Sequence, residues 1–416
     1  RIGLPTYCFD HQKYWITPGE KVTEKAHSSR LHKKNINEWL YQPGWKAKAI
    51  PKVSLLDKSA NILHFRNTTE FSTDLHNELQ KIDANLITVE NDDSYASGNN
   101  KYSINLTSEV DCRQLFEELS NNNTKITHVV ISMLYGESGN EEYEEAFKLY
   151  YSSIFNISKC MQEYFTDQDI QLTILMDSQS LPYNSNLMNP YQSRAAGPIK
   201  VLAQESGTVN IKWIDLNNFS ANDNKTLFDI KYIINDIFEH RDEEHVAYYG
   251  NSRFLKDYEK INYNLEETTL FEQKDISVFA ITGGLGGLSG KLAVHLSKLK
   301  NSKLIILSRT TEEDIKNSDI NTGKYDVLNE ITANALSVDI IVGDVTSKDD
   351  VNNLFNHIKK NYKHLDVLFH TAGIVKDNIL SLKTLEESRD VLDVKVRGAI
   401  NIGESLKLIK PSKIVF

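Results

Sequence analysis

The sequence has few cysteines, no excess of positive charge and no long apolar run, and each absence excludes a class of protein. Its three cysteines form no CxxC pair, which argues against a zinc site or a disulfide framework; they are Cys8, Cys112 and Cys160. Forty-seven Lys and Arg against 57 Asp and Glu give a net charge of −10, which argues against a nucleic-acid surface. No apolar run reaches the roughly 18 residues of a membrane span, and no signal peptide opens the sequence. These properties predict a cytoplasmic protein without a metal site.

The length and both ends of the sequence indicate several domains cut from a longer protein. At roughly 100–200 residues per domain, 416 residues allow two or three domains, each with its own core. The sequence begins at Arg1 rather than at a methionine and stops at Phe416 inside an apolar run. We therefore expect both ends to be cuts.

Four regions follow one another along the sequence. Residues 1–16 hold Pro5 and several aromatic residues, so we expect this segment to lie along a folded surface. Residues 17–35 are charged and lack periodicity, which is typical of a linker. Residues 36–270 alternate short apolar runs with amphipathic stretches, and residues 271–416 repeat that alternation. Alternating strands and helices predict parallel sheets, so the fold class is α/β with two doubly wound, Rossmann-like subdomains. Five strands are visible in the second subdomain, which we expect to be incomplete at its C-terminal end.

A glycine-rich turn in the second subdomain is the strongest local motif. An apolar strand at residues 277–282 is followed by Thr282-Gly283-Gly284-Leu285-Gly286-Gly287-Leu288 and then by an apolar helix. Such glycines permit a tight turn and a close approach to a pyrophosphate at the helix N-terminus. Ser289 stands where a third glycine is usual, and serine is small enough to preserve the helix packing. The alternative is a glycine-rich turn without a ligand.

Residues at the ends of the next two strands favour NADPH as the cofactor. Enzymes specific for NAD typically carry an acidic residue after the second strand, whereas this sequence has Ser308-Arg309. A guanidinium binds phosphate oxygens bidentately, so Arg309 suits a 2′-phosphate. Asp344-Val345 follows the third strand, where the carboxylate could accept a hydrogen bond from adenine. A solvated arginine and a helix-capping aspartate are the alternative interpretations.

These motifs together resemble the short-chain dehydrogenase/reductase superfamily, and more narrowly the ketoreductase domains of modular polyketide synthases. The resemblance is carried by the glycine turn, Asp344-Val345 and His370-Thr371-Ala372-Gly373. The opening Leu4-Pro5-Thr6-Tyr7 resembles the linker that follows ketosynthase or acyltransferase domains in those synthases. Trp45, residues 197–201 and residues 213–216 resemble patterns of the ketoreductase structural subdomain. The resemblance implies a structural subdomain over residues 36–270 and the N-terminal part of an NADPH-binding catalytic subdomain over residues 271–416.

The resemblance also implies a reaction and its partners. In this family, NADPH reduces a β-ketoacyl group that an acyl carrier protein holds as a thioester through phosphopantetheine. A ketosynthase or acyltransferase domain is the expected neighbour. A tyrosine donates the proton, a serine orients the carbonyl, and a lysine lowers the tyrosine's pKa. Lys395 matches the position of that lysine; a surface lysine is the alternative. The family's serine and tyrosine follow the fifth strand, so we expect this chain to lack both and to be inactive by itself.

Asp377 and the pair Ser178 and Tyr191 need separate interpretation. Asp377 matches the last aspartate of the Leu-Asp-Asp motif of B-type ketoreductases, although Val375 and Lys376 depart from it. The resemblance then implies a D-configured β-hydroxy product, with Asp377 in stereocontrol. Ser178 and Tyr191 have the spacing of a reductase pair, but the position four beyond Tyr191 is Ala195. We interpret that pair as a vestige of a duplicated fold.

Two other hypotheses stay open. The protein could be another nicotinamide enzyme of the same superfamily, which should lack the Leu4-Pro5-Thr6-Tyr7 segment and the doubled Rossmann pattern. It could also be a non-catalytic, ketoreductase-like scaffold that braces neighbouring domains. Intact glycines, Arg309 and Lys395 argue against the scaffold, and NADPH titration distinguishes the two.

Overall fold

A computed structural model describes residues 38–52, 60–82, 84–122, 124–136, 142–177, 190–217, 229–239, 243–261, 277–317 and 323–416. The chain divides into a small unit, Arg1–Gly44 with Tyr258–Thr268, and a large unit, Trp45–Asp257 with Thr269–Phe416. In the small unit the Ile261 amide donates to the Leu40 carbonyl at 3.0 Å. The predicted linkers at residues 1–16 and 17–35 lie outside the described residues, as does the predicted boundary at 270/271.

The first sheet has ten strands in the order β1-β10-β9-β8-β7-β6-β2-β3-β5-β4. The strands are β1 (Tyr41–Lys48), β2 (Asn61–Arg66), β3 (Asn85–Asn91), β4 (Ala96–Gly98), β5 (Lys101–Ile104), β6 (His128–Ile131), β7 (Ile170–Asp177), β8 (Val209–Asn217), β9 (His245–Tyr249) and β10 (Ser252–Lys260). From β5 to β9 all neighbouring strands are parallel, whereas β4 and β10 pair antiparallel with β5 and β9. The helices are α1 (Glu70–Gln80), α2 (Glu109–Asn121), α3 (Tyr143–Phe147), α4 (Ser153–Tyr164), α5 (Ala196–Ser206) and α6 (Ile230–Phe238).

The second sheet has five parallel strands in the order β13-β12-β11-β14-β15. They are β11 (Ser277–Thr282), β12 (Ser302–Ser308), β13 (Ser337–Val342), β14 (Val367–His370) and β15 (Lys413–Val415). The helices are α7 (Gly287–Ser297), α8 (Glu312–Asn317), α9 (Lys324–Asn334), α10 (Lys348–Asn361), α11 (Leu385–Leu392) and α12 (Gly398–Ser405). This is the strand order of a Rossmann fold, and the α/β prediction with parallel sheets is confirmed.

Both sheets have an apolar core on each face, which explains the near-continuous apolar strands. In β11, Val278 and Ala280 belong to one buried cluster, and Phe279 and Ile281 belong to the other. Successive strand residues point to opposite faces, so a strand covered on both faces must be apolar throughout. In the first sheet Leu63 contributes to one core and its neighbour Ile62 to the other.

Short polar side chains begin several helices. The hydroxyls of Thr69, Ser108 and Ser347 accept hydrogen bonds from backbone amides in the first turns of α1, α2 and α10. Thr384 and Glu387 form a reciprocal capping box at α11. Each cap fixes the residue at which its helix begins.

Two long helices are each interrupted by a π-helical turn. Residues Lys148–Ser152 join α3 to α4, and Asp393–Arg397 join α11 to α12. A π turn accommodates one extra residue within a helix and frequently lies at a functional site. In the part of the chain that the structure describes, no helix has the length and apolar character to cross a membrane.

Candidate functional site

The turn between β11 and α7 can be built only from glycine at two positions. Gly283 has φ +115°, and a Cβ there would lie 2.9 Å from the backbone nitrogen of Ala372. Gly284 has φ +68°, and its Cβ would lie 3.1 Å from the Ser308 hydroxyl. A side chain would therefore be strained and would collide with the neighbouring strand ends. The amides of Gly283 and Gly284 donate to the Leu307 carbonyl at 3.2 and 3.0 Å, so these two glycines shape the turn.

The amides available to an anion belong to the first turn of α7. Helix α7 begins after Gly286, and the Gly290 amide donates to the Gly286 carbonyl at 3.0 Å. The amides of Gly287, Leu288 and Ser289 precede it and have no carbonyl of their own helix to bind. They make the helix N-terminus a site for a phosphate. The Leu288 side chain is 73% exposed, so only its backbone can take part.

Ser289 replaces the third glycine without opening the turn. Its side chain is buried, and its hydroxyl donates to the Gly286 carbonyl at 2.7 Å. The third glycine of this motif usually permits close packing of the helix. Here Gly290 has that role, because a Cβ there would lie 2.8 Å from the Leu285 carbonyl oxygen. The prediction that packing survives at Ser289 agrees with this geometry.

A cleft opens at the carboxyl ends of the parallel strands, next to the glycine turn. Nine of the predicted residues line it: Gly283, Gly284, Gly286, Ser308, Arg309, Asp344, Val345, Ala372 and Gly373. This is the location where doubly wound sheets bind dinucleotides, beside the strand at which the order reverses. The remaining predicted residues, Thr282, Gly287, Leu288, His370, Thr371, Asp377 and Lys395, do not line it.

Two cations stand at one side of this cleft. Arg309 follows β12, and Lys324 is the first residue of α9; both line the cleft. The Ser308 hydroxyl accepts a hydrogen bond from the Thr310 amide at 3.1 Å, which turns the chain after β12. Lys324 was not among the predicted site residues. Its only sequence signal is a basic residue beside Gly323 at a predicted helix start, which is too common to single it out.

Asp344 both lines the cleft and organises the loop after β13. One of its carboxylate oxygens accepts from the Thr346 amide and hydroxyl, both at 2.8 Å, and its amide donates to Asp350 at 2.8 Å. The next residue, Val345, is buried, and its carbonyl accepts from the Asn401 amide nitrogen at 3.0 Å. The loop is therefore fixed by side chains from two helices, with Asp344 held at the cleft wall.

Thr282, His370 and Thr371 connect the ends of β11 and β14. The Thr282 hydroxyl bonds His370 Nδ1 at 2.7 Å, and the Thr371 hydroxyl donates to the Thr282 carbonyl at 2.6 Å. Burial lowers the pKa of His370, and the positive charge of Lys395 lowers it further. A neutral imidazole suits a bond between two strand ends. These three residues do not line the cleft but join the two strand ends beside it. Ala372 and Gly373, which follow them, line the cleft.

Lys395 lies beside that wall, on the π turn Asp393–Arg397. A Cβ on Gly373 would lie 3.2 Å from its Cε and 3.4 Å from its Nζ. The lysine side chain therefore packs against a glycine that lines the cleft. Asp377 is exposed and lies in the segment that follows Gly373. Within the described residues no cluster of His, Cys, Asp and Glu could hold a metal ion.

Comparison with known proteins gives matches to two family models and to curated synthases. Residues 277–415 match the family model of the KR domain, and residues 60–236 match the model described as beta-ketoacyl synthase-like, N-terminal. Polyketide synthase PksN of Bacillus subtilis (strain 168) is 29% identical over 166 residues, which cover 40% of this chain and 3% of PksN. The match to polyketide synthase PksL of the same organism, at 27% identity, spans 4% of that protein.

Solved ketoreductases share the fold of almost the whole chain. An N-terminal ketoreductase from the macrolactin assembly line superposes with a TM-score of 0.73 at 18% identity, covering 90% of this chain and 73% of the other. An A-type ketoreductase structure from a modular polyketide synthase gives 0.70 at 14% identity, covering 91% and 73%. Coverage this high includes both sheets.

The fold of almost the whole chain is that of solved ketoreductases. More particularly, residues 277–415 are similar to the KR domain, and the relatives of the chain include polyketide synthases.

Proposed function

We propose that this region binds NADPH and serves a ketoreductase that reduces a β-ketoacyl thioester on an acyl carrier protein to the β-hydroxyacyl thioester. The observation that carries the choice of cofactor is the pair of cations, Arg309 and Lys324, at one side of the cleft. No carboxylate stands at the end of β12, where an enzyme specific for NAD typically has one.

The described residues fit such a dinucleotide. The first-turn amides of α7 would hold its pyrophosphate, and Arg309 and Lys324 would hold its 2′-phosphate. Asp344 and Val345 would border the adenine, and the nicotinamide end would reach Gly373. The cofactor supplies a hydride when bound; the protein supplies charge, shape and orientation.

Lys395 would act next to the reacting centre. Its ammonium beside Gly373 adds positive charge at the end of the cleft opposite Arg309. In the family that this chain resembles, a tyrosine and a serine complete the site after the fifth strand. The strand β15 occupies Lys413–Val415, and within the described residues no such serine and tyrosine follow it. We therefore propose that the 416-residue chain binds the cofactor without turning over substrate.

The segment after Gly373 is the proposed border of the acyl substrate. Val375 is 82% exposed, and Ile379 and Leu382 are also more than half exposed. Apolar side chains at the mouth of a cleft suit an acyl chain and its carrier better than water. Asp377 lies among them, and we propose it for stereocontrol toward the D-configured product. A neighbouring ketosynthase or acyltransferase domain and a cytoplasmic location complete the proposal.

Titration of the full chain with NADPH and NADH tests the cofactor assignment. The wild type should bind NADPH at least tenfold more tightly than NADH, measured by the fluorescence of the bound nicotinamide. Arg309→Ala removes a charged hydrogen-bonding partner worth about 1.5–3 kcal/mol, so NADPH affinity should fall roughly 10- to 100-fold. NADH affinity should hardly change, since NADH lacks the 2′-phosphate.

Lys300→Ala is the matched control. It removes one positive charge from an exposed position at the other end of α7 and should leave both affinities unchanged. Equal affinity of the wild type for the two cofactors would contradict the assignment of NADPH. Absence of binding for both would favour the scaffold hypothesis.

A further inference from the structure

Two long helices from the two sheets run antiparallel against each other. Tyr143 on α3 donates to Asp393 at 2.6 Å, and the Arg389 guanidinium lies 4.2 Å from the centre of the Phe147 ring. Further along, Lys159 donates to the Lys383 carbonyl at 3.4 Å. Along these three contacts the residue number rises from 143 to 159 in the first segment while it falls from 393 to 383 in the second, so the two segments are antiparallel. The helix that carries Lys395 is therefore packed against the first sheet's helix over its first half.

The contacts concentrate on the π turn itself. Glu144 accepts hydrogen bonds from Arg389, one turn before the π turn, and from Arg397, its last residue, the latter at 2.6 Å. Tyr143 bonds Asp393, the first residue of the π turn, and its ring lies 4.3 Å from the Arg397 guanidinium. Tyr143 and Glu144, which we call the clamp, thus hold both ends of the five residues with Lys395 at their centre.

The clamp is electrostatically matched to its target. Burial raises the pKa of Tyr143, and the hydrogen bond to Asp393 raises it further, so the phenol stays a neutral donor. The hydrogen bond from Arg389 lowers the pKa of Glu144 despite partial burial, and Arg397 adds to that effect. On the other side of the Tyr143 ring, the Arg194 guanidinium lies 4.5 Å from its centre. The first sheet's subdomain therefore supplies a fixed donor and a fixed anion to the turn.

A π turn has an extra residue, so small changes at its ends shift the direction of the side chain at its centre. Lys395 must point at Gly373 to place its ammonium at the cleft wall. We propose that Tyr143 and Glu144 are positioning residues, which hold the π turn Asp393–Arg397 so that Lys395 faces the cofactor cleft. The inference rests on the proposed function, and it makes the subdomain without a glycine turn part of the working site.

Chemical acetylation of Lys395 in the full chain, with and without saturating NADPH, tests this proposal. Peptide mass spectrometry gives the labelling rate of this one lysine. In the wild type, NADPH should slow acetylation of Lys395 at least fivefold. In the double variant Tyr143→Phe, Glu144→Gln the protection should fall below twofold, because the ammonium no longer faces the cleft. The NADPH affinity of that variant should stay within threefold of wild type, since Arg309 and the α7 amides are intact.

Two further variants separate positioning from general destabilisation. Glu145→Gln makes the same chemical change at the next, exposed residue and should leave protection at the wild-type value. Glu144→Asp keeps the negative charge. In this variant NADPH should therefore slow the acetylation of Lys395 nearly as much as in the wild type. Full protection in the double variant would overturn the clamp while leaving the proposed function intact. If the wild type fails to bind NADPH in titration, the proposed function fails and the clamp proposal falls with it.

Discussion

In both subdomains four residues separate the first helix of the Rossmann unit from an equivalent residue of its first strand, but these four residues differ. Phe65 of β2 corresponds to Thr282 of β11, because the next strand in order pairs at the same register in both sheets. The amides of Ser132 and Thr371 donate to the carbonyls of Phe65 and Thr282, respectively. Residues 66–69, Arg-Asn-Thr-Thr, therefore stand where residues 283–286, Gly-Gly-Leu-Gly, stand in the second subdomain.

In the first subdomain, side chains of the turn bond neighbouring backbone, and the turn still borders a cleft lined by Arg66 and Asn67. The Asn67 side chain donates to the carbonyls of Met133 and Tyr135 at 2.9 and 3.0 Å, and its oxygen accepts from the Thr69 hydroxyl at 2.6 Å. The Asn67 side chain therefore forms its hydrogen bonds within the protein. Gly284, at the equivalent position, has no side chain to do this. The two turns therefore differ in their side-chain hydrogen bonds, and we propose that only the glycine turn binds a phosphate.

Away from that turn the correspondence is detailed. Asn105 and Asp344 each accept from the amide and hydroxyl of the threonine two residues later. Asn156 and Asn401 each donate to a loop carbonyl, of Leu106 at 3.1 Å and Val345 at 3.0 Å. The hydrogen bonds that shape these loops are therefore common to both subdomains.

The largest effect is expected at the glycine turn. Gly283→Val places a branched side chain at φ +115° against the backbone of Ala372, at a cost of about 3 kcal/mol or more. NADPH binding should fall below detection in fluorescence titration. The corresponding change in the other copy, Arg66→Val, should leave NADPH affinity within twofold. Comparable loss in both variants would break the functional distinction between the two turns.

A smaller, pH-dependent effect is expected from a buried polar network that only the first copy has. His64 Nε2 bonds the Ser132 hydroxyl at 2.8 Å, where the second copy has Ile281. Burial, aided by the charges of His76 and Arg66, lowers the pKa of His64 from 6.5 to about 3. Because the folded state resists protonation, stability is full above pH 6.5 and falls by about 1.4 kcal/mol per pH unit below it.

His64→Ile should flatten this slope of unfolding free energy between pH 6 and pH 4, measured by urea denaturation. The exposed His295, changed to Gln, is the control and should leave the slope unchanged. A slope of wild-type steepness in His64→Ile would show that His64 is not the source of the acid sensitivity.

The smallest expected effect concerns the shared asparagines. Asn401→Ala and Asn156→Ala each remove a buried hydrogen bond, so each should lower the free energy of unfolding by about 1–3 kcal/mol. Only Asn401→Ala should also weaken NADPH binding, by a fewfold, because the Val345 loop borders the cleft. The measurements are denaturant unfolding and cofactor titration. An equal effect of the two variants on cofactor affinity would contradict the separate roles of the copies.

The sequence predicted most of the second subdomain because its signals are local. The apolar run at residues 277–282 coincides with β11, and the glycines mark the turn directly. Lys324 could not be predicted, since it reaches the cleft only through the packing of α9. The Tyr143–Asp393 hydrogen bond joins residues 250 positions apart, and no periodicity connects them. The roles of Lys395 and Asp377 stay predictions.

The first subdomain was predicted less completely for a related reason. Its parallel strands β2 and β3 fall on short apolar runs of the alternating pattern that predicted this subdomain. Strand β1 contains Pro43 and Gly44 and is mostly exposed, so its composition gave no strand signal. The π turns were missed because one extra residue barely disturbs the apolar spacing of a long helix.

The two π turns lie at equivalent places in the two subdomains. Counting from the first residue of each turn, Tyr150 occupies the place of Lys395, and Asn156 falls on Asn401 without a gap. Since the shared asparagines fix the alignment, both helices carry the same single-residue insertion at the same point. Tyr150 and Lys395 therefore occupy equivalent positions at the centres of the two π turns, one holding a buried phenol and the other an amine beside the cleft.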